Sequence, residues 1–199
     1  MFTGIVTDLG RVRSVTKTGD WRFEIHTSFD TSTIDIGASI CCLGVCLTVI
    51  ETGNDWFAVG VSQETISKTT LGSWKEDTPI NLERSLKMGD EMGGHIVSGH
   101  VDGVGHLSAN TAEGDSFRLS FNAPGDLIRF IAAKGSVTIN GVSLTVNSVE
   151  GQTFAVNIIP HTQDVTTLGS LKVNDPVNLE IDMLARYVAR LIETDKQID

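Results

Sequence analysis

Cysteine is scarce and oddly placed: the 199 residues hold three, Cys41, Cys42 and Cys46, within six positions. An odd, clustered set makes no disulfide framework and suits a reducing compartment. Nor does it make a zinc site. On a strand Cys41 and Cys42 point to opposite faces, and no Cys-x-x-Cys pair or nearby His completes a tetrahedral set. Both read as small core residues. Basic charge is also in deficit, with 15 Lys and Arg against 25 Asp and Glu and a net charge of -10. That excludes the clustered cations needed to neutralise nucleic-acid phosphates or to hold an anionic membrane. No apolar run approaches the roughly 20 residues of a membrane span, and Met1-Phe2-Thr3-Gly4-Ile5-Val6 lacks the basic start and long apolar core of a signal peptide. The expectation is a cytoplasmic protein with a small-molecule partner, no nucleic acid, no membrane and no metal.

What the chain does have is a repeat. A shift of 97 positions aligns residues 39–83 with 136–180 without a gap, and about 20 of those 45 positions are identical. Chance gives only a few matches, so the chain carries an internal duplication. Gly44-Val45-Cys46-Leu47-Thr48-Val49 matches Gly141-Val142-Ser143-Leu144-Thr145-Val146, Thr65 matches Thr162, and Asn81-Leu82-Glu83 matches Asn178-Leu179-Glu180. A weaker match pairs Thr3-Gly4 with Ser98-Gly99.

Each unit reads as strands. Residues 21–26 and 117–121 alternate apolar with polar, the period of a half-buried strand. Gly53-Asn54-Asp55 and Glu150-Gly151-Gln152 sit between apolar runs as hairpin turns. Two antiparallel barrels follow, because closure removes the edges that short repeated strands otherwise expose. One helical piece per unit is expected, clearest over residues 124–130, with Pro124 near its start and Gly135 near its end. Residues 183–194 break the duplication. Leu184, Val188, Leu191 and Ile192 fall on one helical face, which docks either on its own barrel or on partner chains.

Three motifs invite chemistry and are weak taken singly. The glycines of residues 93–106 lack the strand, G-x-G-x-x-G, helix order of a dinucleotide site, and His95 and His100, five apart, point to opposite faces of a strand. The bland reading makes that stretch a crossover in which His100 is merely hydrogen-bonded. Ser143 has no visible His and Asp partners at a nucleophile elbow, which leaves acyl transfer without support. The repeat raises these residues above the bland reading. Two copies of one pocket bind two copies of one ligand, and the positions where the copies differ are candidates for separate tasks: Cys46 against Ser143, Leu43 against Asn140, Gln63-Glu64 against Pro160-His161, and Ser85 against Asp182.

In order, spacing and duplication, these segments, together with Gly93-Gly94-His95-Ile96-Val97-Ser98-Gly99-His100-Val101-Asp102-Gly103, Lys134-Gly135-Ser136 and Ile159-Pro160-His161-Thr162, resemble the alpha-chain riboflavin synthases, a family of duplicated lumazine-binding barrels. The resemblance runs from Met1 to about residue 194. It implies an all-β fold of two tandem six-stranded Greek-key barrels, residues 1–97 and 98–182, and a C-terminal helix and tail, residues 183–199, that assembles a homotrimer. It further implies that two molecules of 6,7-dimethyl-8-ribityllumazine dismutate by transfer of a four-carbon unit to riboflavin and a ribitylaminopyrimidinedione, with no cofactor. The productive site then lies between the first barrel of one chain and the second barrel of a neighbour. Association with lumazine synthase, the source of the substrate, stays open. The rival reading is a non-catalytic relative that binds lumazine or flavin as an antenna or carrier.

Carried over by position, the resemblance assigns the first pocket Phe2, Gly4, Ile5 and Val6, then Ser39, Cys46, Leu47 and Thr48, then Gly60, Val61, Ser62, Gln63, Glu64 and Thr65. The second receives Gly99, His100 and Val101, then Lys134, Ser143, Leu144 and Thr145, then Asn157, Ile158, Ile159, Pro160, His161 and Thr162. Catalysis is assigned to Ser143, His100, Cys46, Asp182 and Thr145: His100 or Ser143 to relay a proton, Asp182 to orient or polarise, and Cys46 or a held water to add to C7 of the acceptor. Leu43 departs from the Asn that many relatives carry, which either removes an amide that orients the first ligand or alters a turn in which Asn is structural.

Overall fold

The computed structural model of the protein describes residues 1–195; the end of the expected tail unit, residues 196–199, lies outside them. The first copy folds into β1 (Asp8–Lys17), β2 (Trp21–His26), β3 (Ser39–Cys42), β4 (Val45–Thr52), β5 (Trp56–Val61) and β6 (Pro79–Arg84), and the second into β7 (Gly103–Glu113), β8 (Ser116–Asn122), β9 (Ser136–Ile139), β10 (Val142–Glu150), β11 (Thr153–Ile158) and β12 (Pro176–Ile181). Each set closes into a six-stranded barrel, in the order β1-β2-β5-β4-β3-β6 and in the matching order β10-β11-β8-β7-β12-β9. All pairs are antiparallel.

Period-two patterning decides what faces inward. Phe23 and Ile25 of β2, Val45, Leu47 and Val49 of β4, and Phe57, Val59 and Val61 of β5 fill the first barrel, while Leu119, Phe121, Val146, Phe154 and Val156 fill the second. Phe57 and Phe154 are almost fully buried, and truncating either to Ala costs about 3–5 kcal/mol. Bulges help the sheets curve shut. They recur at matching places, Val49/Glu51 with Val146/Ser148 and Val12/Ser14 with Leu107/Ala109.

Helix placement differs from the sequence expectation. Residues 124–130 form no α-helix: Leu127 and Ile128 both donate to the Pro124 carbonyl, and only Ile128–Phe130 closes a single 3₁₀ turn. Gly125 follows Pro124 too closely for a regular turn to propagate. The helical piece of each unit is α1 (Gln63–Lys68) or α2 (Pro160–Val165). Ser62 Oγ caps α1 by accepting from Thr65 N, and Pro160 occupies the first turn of α2, where its missing N–H costs nothing.

The barrels are joined by reciprocal amides. Asn81 of β6 donates to the Asn140 carbonyl and accepts from Thr167 N; Asn178 of β12 donates to the Leu43 carbonyl and accepts from Thr70 N. Leu43 and Asn140 both have left-handed backbones, with φ of 51° and 49°. Leu43 is buried in the first core. Its departure from Asn therefore falls on the barrel junction, not on a ligand amide. Next to them Gly44 and Gly141 meet back to back with φ of 86° and 83°, and a Cβ on either would lie 2.8 Å from the other's amide nitrogen. Gly141→Ala is expected to destabilise the protein by about 2 kcal/mol or more, combining left-handed strain with a backbone clash. A melting temperature equal to that of the parent would refute this.

After β12, α3 (Met183–Asp195) starts at Asp182, whose carboxylate accepts from Leu184 N. Arg186 on its inner side pairs with Asp102 at 2.9 Å. Leu184, Tyr187, Val188, Leu191 and Ile192 are each more than half exposed. Of the two dockings the sequence leaves open, the helix touches its own second unit through two salt bridges, Arg186–Asp102 and Arg129–Glu193, and leaves its apolar face largely outward.

Candidate active site

Side chains that alternate with the core residues of β4 and β10 face outward: Cys46 and Thr48 on one barrel, Ser143 and Thr145 on the other. What lies over them is not the segment of their own unit. The Ser98-Gly99-His100 stretch crosses to the first barrel, where Cys46 N donates to the Gly99 carbonyl at 2.8 Å. The Thr3-Gly4-Ile5 stretch crosses to the second, where Ser143 N donates to the Gly4 carbonyl at 2.8 Å. Val101 packs on the first core and Val6 on the second. The expected grouping of Gly4, Ile5 and Val6 with Cys46, and of Gly99, His100 and Val101 with Ser143, is thus exchanged. The physical reason is the bridge between Phe2 and Val97, which lays the two segments antiparallel along the junction.

The first-barrel cleft, about 280 Å³, is lined by Val45, Cys46, Glu64, Thr65, Lys68, Thr69, Gly99, His100 and Val101. Gly60 pairs with Thr48 in register, which keeps the strand surface bare beside the threonine, and Ser39 pairs with Thr48 on its other side. Ser62 and Gln63 are spent on the local fold: Ser62 caps α1 and Gln63 donates to the Gly19 carbonyl. Phe2, Leu47, Val61 and Ile158 are buried, Phe2 between the barrels with Cys41 and Val97. A ligand can meet Leu47, Val61 and Ile158 only through their backbone. Burial pushes the thiols of Cys41 and Cys42 well above the ordinary cysteine value, which leaves the half-buried Cys46 as the accessible sulfur.

At the second barrel, outward Ser143 and Thr145 are accompanied by exposed Asn157, Ile159, Pro160 and His161, half-buried Thr162 at the start of α2, and Leu144 packed against the core. Lys134 stands exposed with φ of 67°, at the repeat position where the first copy has Gly37. Its left-handed backbone costs of order 1 kcal/mol more than glycine there.

Sequence reasoning missed a partner. His95 Nδ1 lies 2.7 Å from Ser143 Oγ, and its Nε2 lies 3.2 Å from Thr138 Oγ1 on the neighbouring strand. Burial lowers the imidazole pKa below the ordinary histidine value, against the opposing negative charge of Asp182. The ring is therefore neutral near pH 7, with one nitrogen able to accept. Spacing did hold the signal: five residues apart, His95 and His100 go to opposite sides, one to each barrel. Asp182 caps α3 while its charge reaches His95. Among the described residues no three His, Cys, Asp or Glu side chains converge as a metal set.

Two copies of one closed barrel, each presenting an outward Cys46 or Ser143 side chain beside a segment from the junction, define a duplicated-barrel protein. The family model for the lumazine binding domain matches twice, over residues 3–85 and 98–182. The riboflavin synthase of Brucella abortus (strain 2308) is 50% identical and covers 98% of this chain and 100% of its own. That of Photobacterium phosphoreum is 39% identical over 100% of this chain and 92% of its own. Among solved structures, LumP complexed with riboflavin superposes with a TM-score of 0.84 at 27% identity, over 91% of this chain and 99% of that one. LumP complexed with 6,7-dimethyl-8-(1'-D-ribityl) lumazine gives 0.82 at 25%, over 90% and 98%. The chain belongs to the lumazine-binding-domain family, and within it to the riboflavin synthases.

Proposed function

We propose that the chain converts two molecules of 6,7-dimethyl-8-ribityllumazine to riboflavin and 5-amino-6-ribitylamino-2,4-pyrimidinedione. Two carbon–carbon bonds form on the acceptor's methyl carbons as two carbon–nitrogen bonds of the donor break, and protons leave the acceptor methyls as they arrive on the donor nitrogens. Atoms and electrons balance between two identical molecules, so the overall reaction needs no outside oxidant. The observation that carries the reading is the duplicated barrel in which one outward strand position holds Cys46 against the Gly99 segment in the first copy and Ser143 against the Gly4 segment in the second.

The C7 methyl of a lumazine is acidic because its carbanion delocalises into the ring, and a nearby hydrogen-bonding group is enough to promote proton loss. Ser143, backed by neutral His95, is suited to relay that proton. Cys46, beside His100, is suited to add to C7 or to hold the water that does. Thr48 and Thr145 offer hydroxyls, and exposed backbone offers donors and acceptors, to the pyrimidinedione edge and the ribityl chain. We further propose a cytoplasmic homotrimer assembled through α3, an assembly supported by the outward apolar face of that helix.

The test is to mix purified, metal-free protein with the lumazine alone and follow riboflavin. Half a mole of riboflavin per mole of lumazine consumed is the expected result. Bound, spectrally shifted lumazine with no riboflavin formed would replace the enzyme by a carrier of the LumP kind.

A further inference from the structure

We propose that the repeated Asn-Leu-Glu of β6 and β12 makes each barrel build the other's cleft, with Glu83 and Glu180 as the positioning residues. Both carboxylates are buried, 5% and 2% exposed, and among the described residues neither forms a salt bridge. Glu180 lies in the second barrel. Its Oε1 accepts from Ser98 N and Ser98 Oγ at 2.7 Å, and its Oε2 from Gly99 N at 2.8 Å and His100 N at 3.0 Å. The other side of that segment is bonded to Cys46 N, and a Cβ on Gly99 would lie 2.6 Å from Cys46 Cβ. His100 and Val101 are thereby pressed over the first-barrel cleft by a side chain of the second barrel. Glu83 does the reverse: its Oε1 accepts from Thr3 N and Thr3 Oγ1 at 2.7 Å and its Oε2 from Gly4 N at 2.9 Å, while the Gly4 carbonyl accepts from Ser143 N.

A buried carboxylate is costly unless donors surround it. These two are surrounded by three or four, which suits an acceptor-only group. Glutamine has the same shape but must turn an NH₂ toward backbone N–H donors, so it breaks at least one side of the clamp. Neither carboxylate appears among the residues that would touch substrate in the functional reading on which this proposal rests. Their effect is on where the crossing segments sit.

The experiment uses the intact protein and riboflavin ¹³C-labelled in its methyl groups, read by NMR as one set of bound signals per cleft. Ser143→Ala shifts the set that belongs to the second barrel and so assigns both. Glu180→Gln is expected to weaken binding at the first-barrel cleft by about tenfold and leave the Ser143-assigned set in place; Glu83→Gln is expected to do the opposite. A simple packing defect would loosen the cleft of the mutated barrel or both alike, and either pattern overturns the proposal. Should a glutamine variant fail to fold, Ser98→Ala and Thr3→Ala each remove the side-chain donor to the carboxylate, together with the hydroxyl that accepts from His100 N or Ile5 N, and the same crossed pattern is expected at about two- to threefold. Parent protein that binds no riboflavin would instead sink the functional reading.

Discussion

Ser143→Ala is expected to lower turnover by more than about tenfold, a rise of at least about 1.4 kcal/mol in the barrier, while the melting temperature stays within a few degrees of the parent. The hydroxyl is half-exposed on an outward position of β10, and its side-chain partner among the described residues is His95, so its loss leaves no core cavity. Turnover above a tenth of the parent's would remove Ser143 from the chemistry. His95→Asn separates relay from packing. Burial lowers the His95 pKa below the ordinary histidine value, so the acid limb of kcat in the parent should fall below about pH 6.5. The Asn variant should lose both rate and that limb. Stability carries the same sign. A His depressed in the folded state contributes stability fully above the unfolded value near 6.5 and loses it as pH falls toward the lowered folded value, because the unfolded chain then binds the proton first. His95→Asn should therefore narrow the stability gap between about pH 7 and pH 5. A kcat profile for His95→Asn parallel to the parent's at every pH would reduce His95 to a packing residue.

Barrels, hairpins and the terminal helix were legible because they rest on local signals: alternation along 21–26, turn residues at 53–55, a four-residue apolar spacing from Leu184 to Val188. The short helices were misplaced, since the six residues at 63–68 depend on the Ser62 cap rather than on any periodic stripe, whereas residues 124–130 mimic a helix through Pro124 at the start and Gly135 near the end. Residue types at the candidate site were legible too, because the duplication exposes Cys46 against Ser143. What could not be read was the exchange of crossing segments. A shift of 97 aligns each strand with its copy and says nothing about which barrel Gly4 or Gly99 lies against; the Phe2–Val97 bridge decides that through space. His95 was passed over for the same reason, since its partner Ser143 is 48 residues away.

If donor and acceptor clefts meet only across subunits, two inactive chains should rescue each other. Cys46→Ala impairs a first-barrel cleft and Ser143→Ala a second-barrel cleft, and each homo-oligomer carries one damaged partner at every site. Co-refolded together, some interfaces join the intact first barrel of one chain to the intact second barrel of the other, and activity is expected to rise at least about fivefold above the sum of the separate variants. Sites built within one chain would stay damaged in every mixture, so flat activity would reject the arrangement. The proposed assembly rests on α3, whose Leu184, Tyr187 and Val188 are 74%, 64% and 55% exposed. A contiguous exposed apolar face of this kind marks an interaction surface. Deleting residues 184–199 is expected to yield folded monomers with at least about hundredfold lower turnover, because each barrel is closed by its own strands while the productive pair of clefts is not. Leu184→Lys with Val188→Lys keeps the helix, its Asp182 cap and the Arg186–Asp102 pair, and should give the same loss. Trimers persisting in sedimentation for both variants would separate the helix from assembly; monomers of full activity would place both lumazines on one chain.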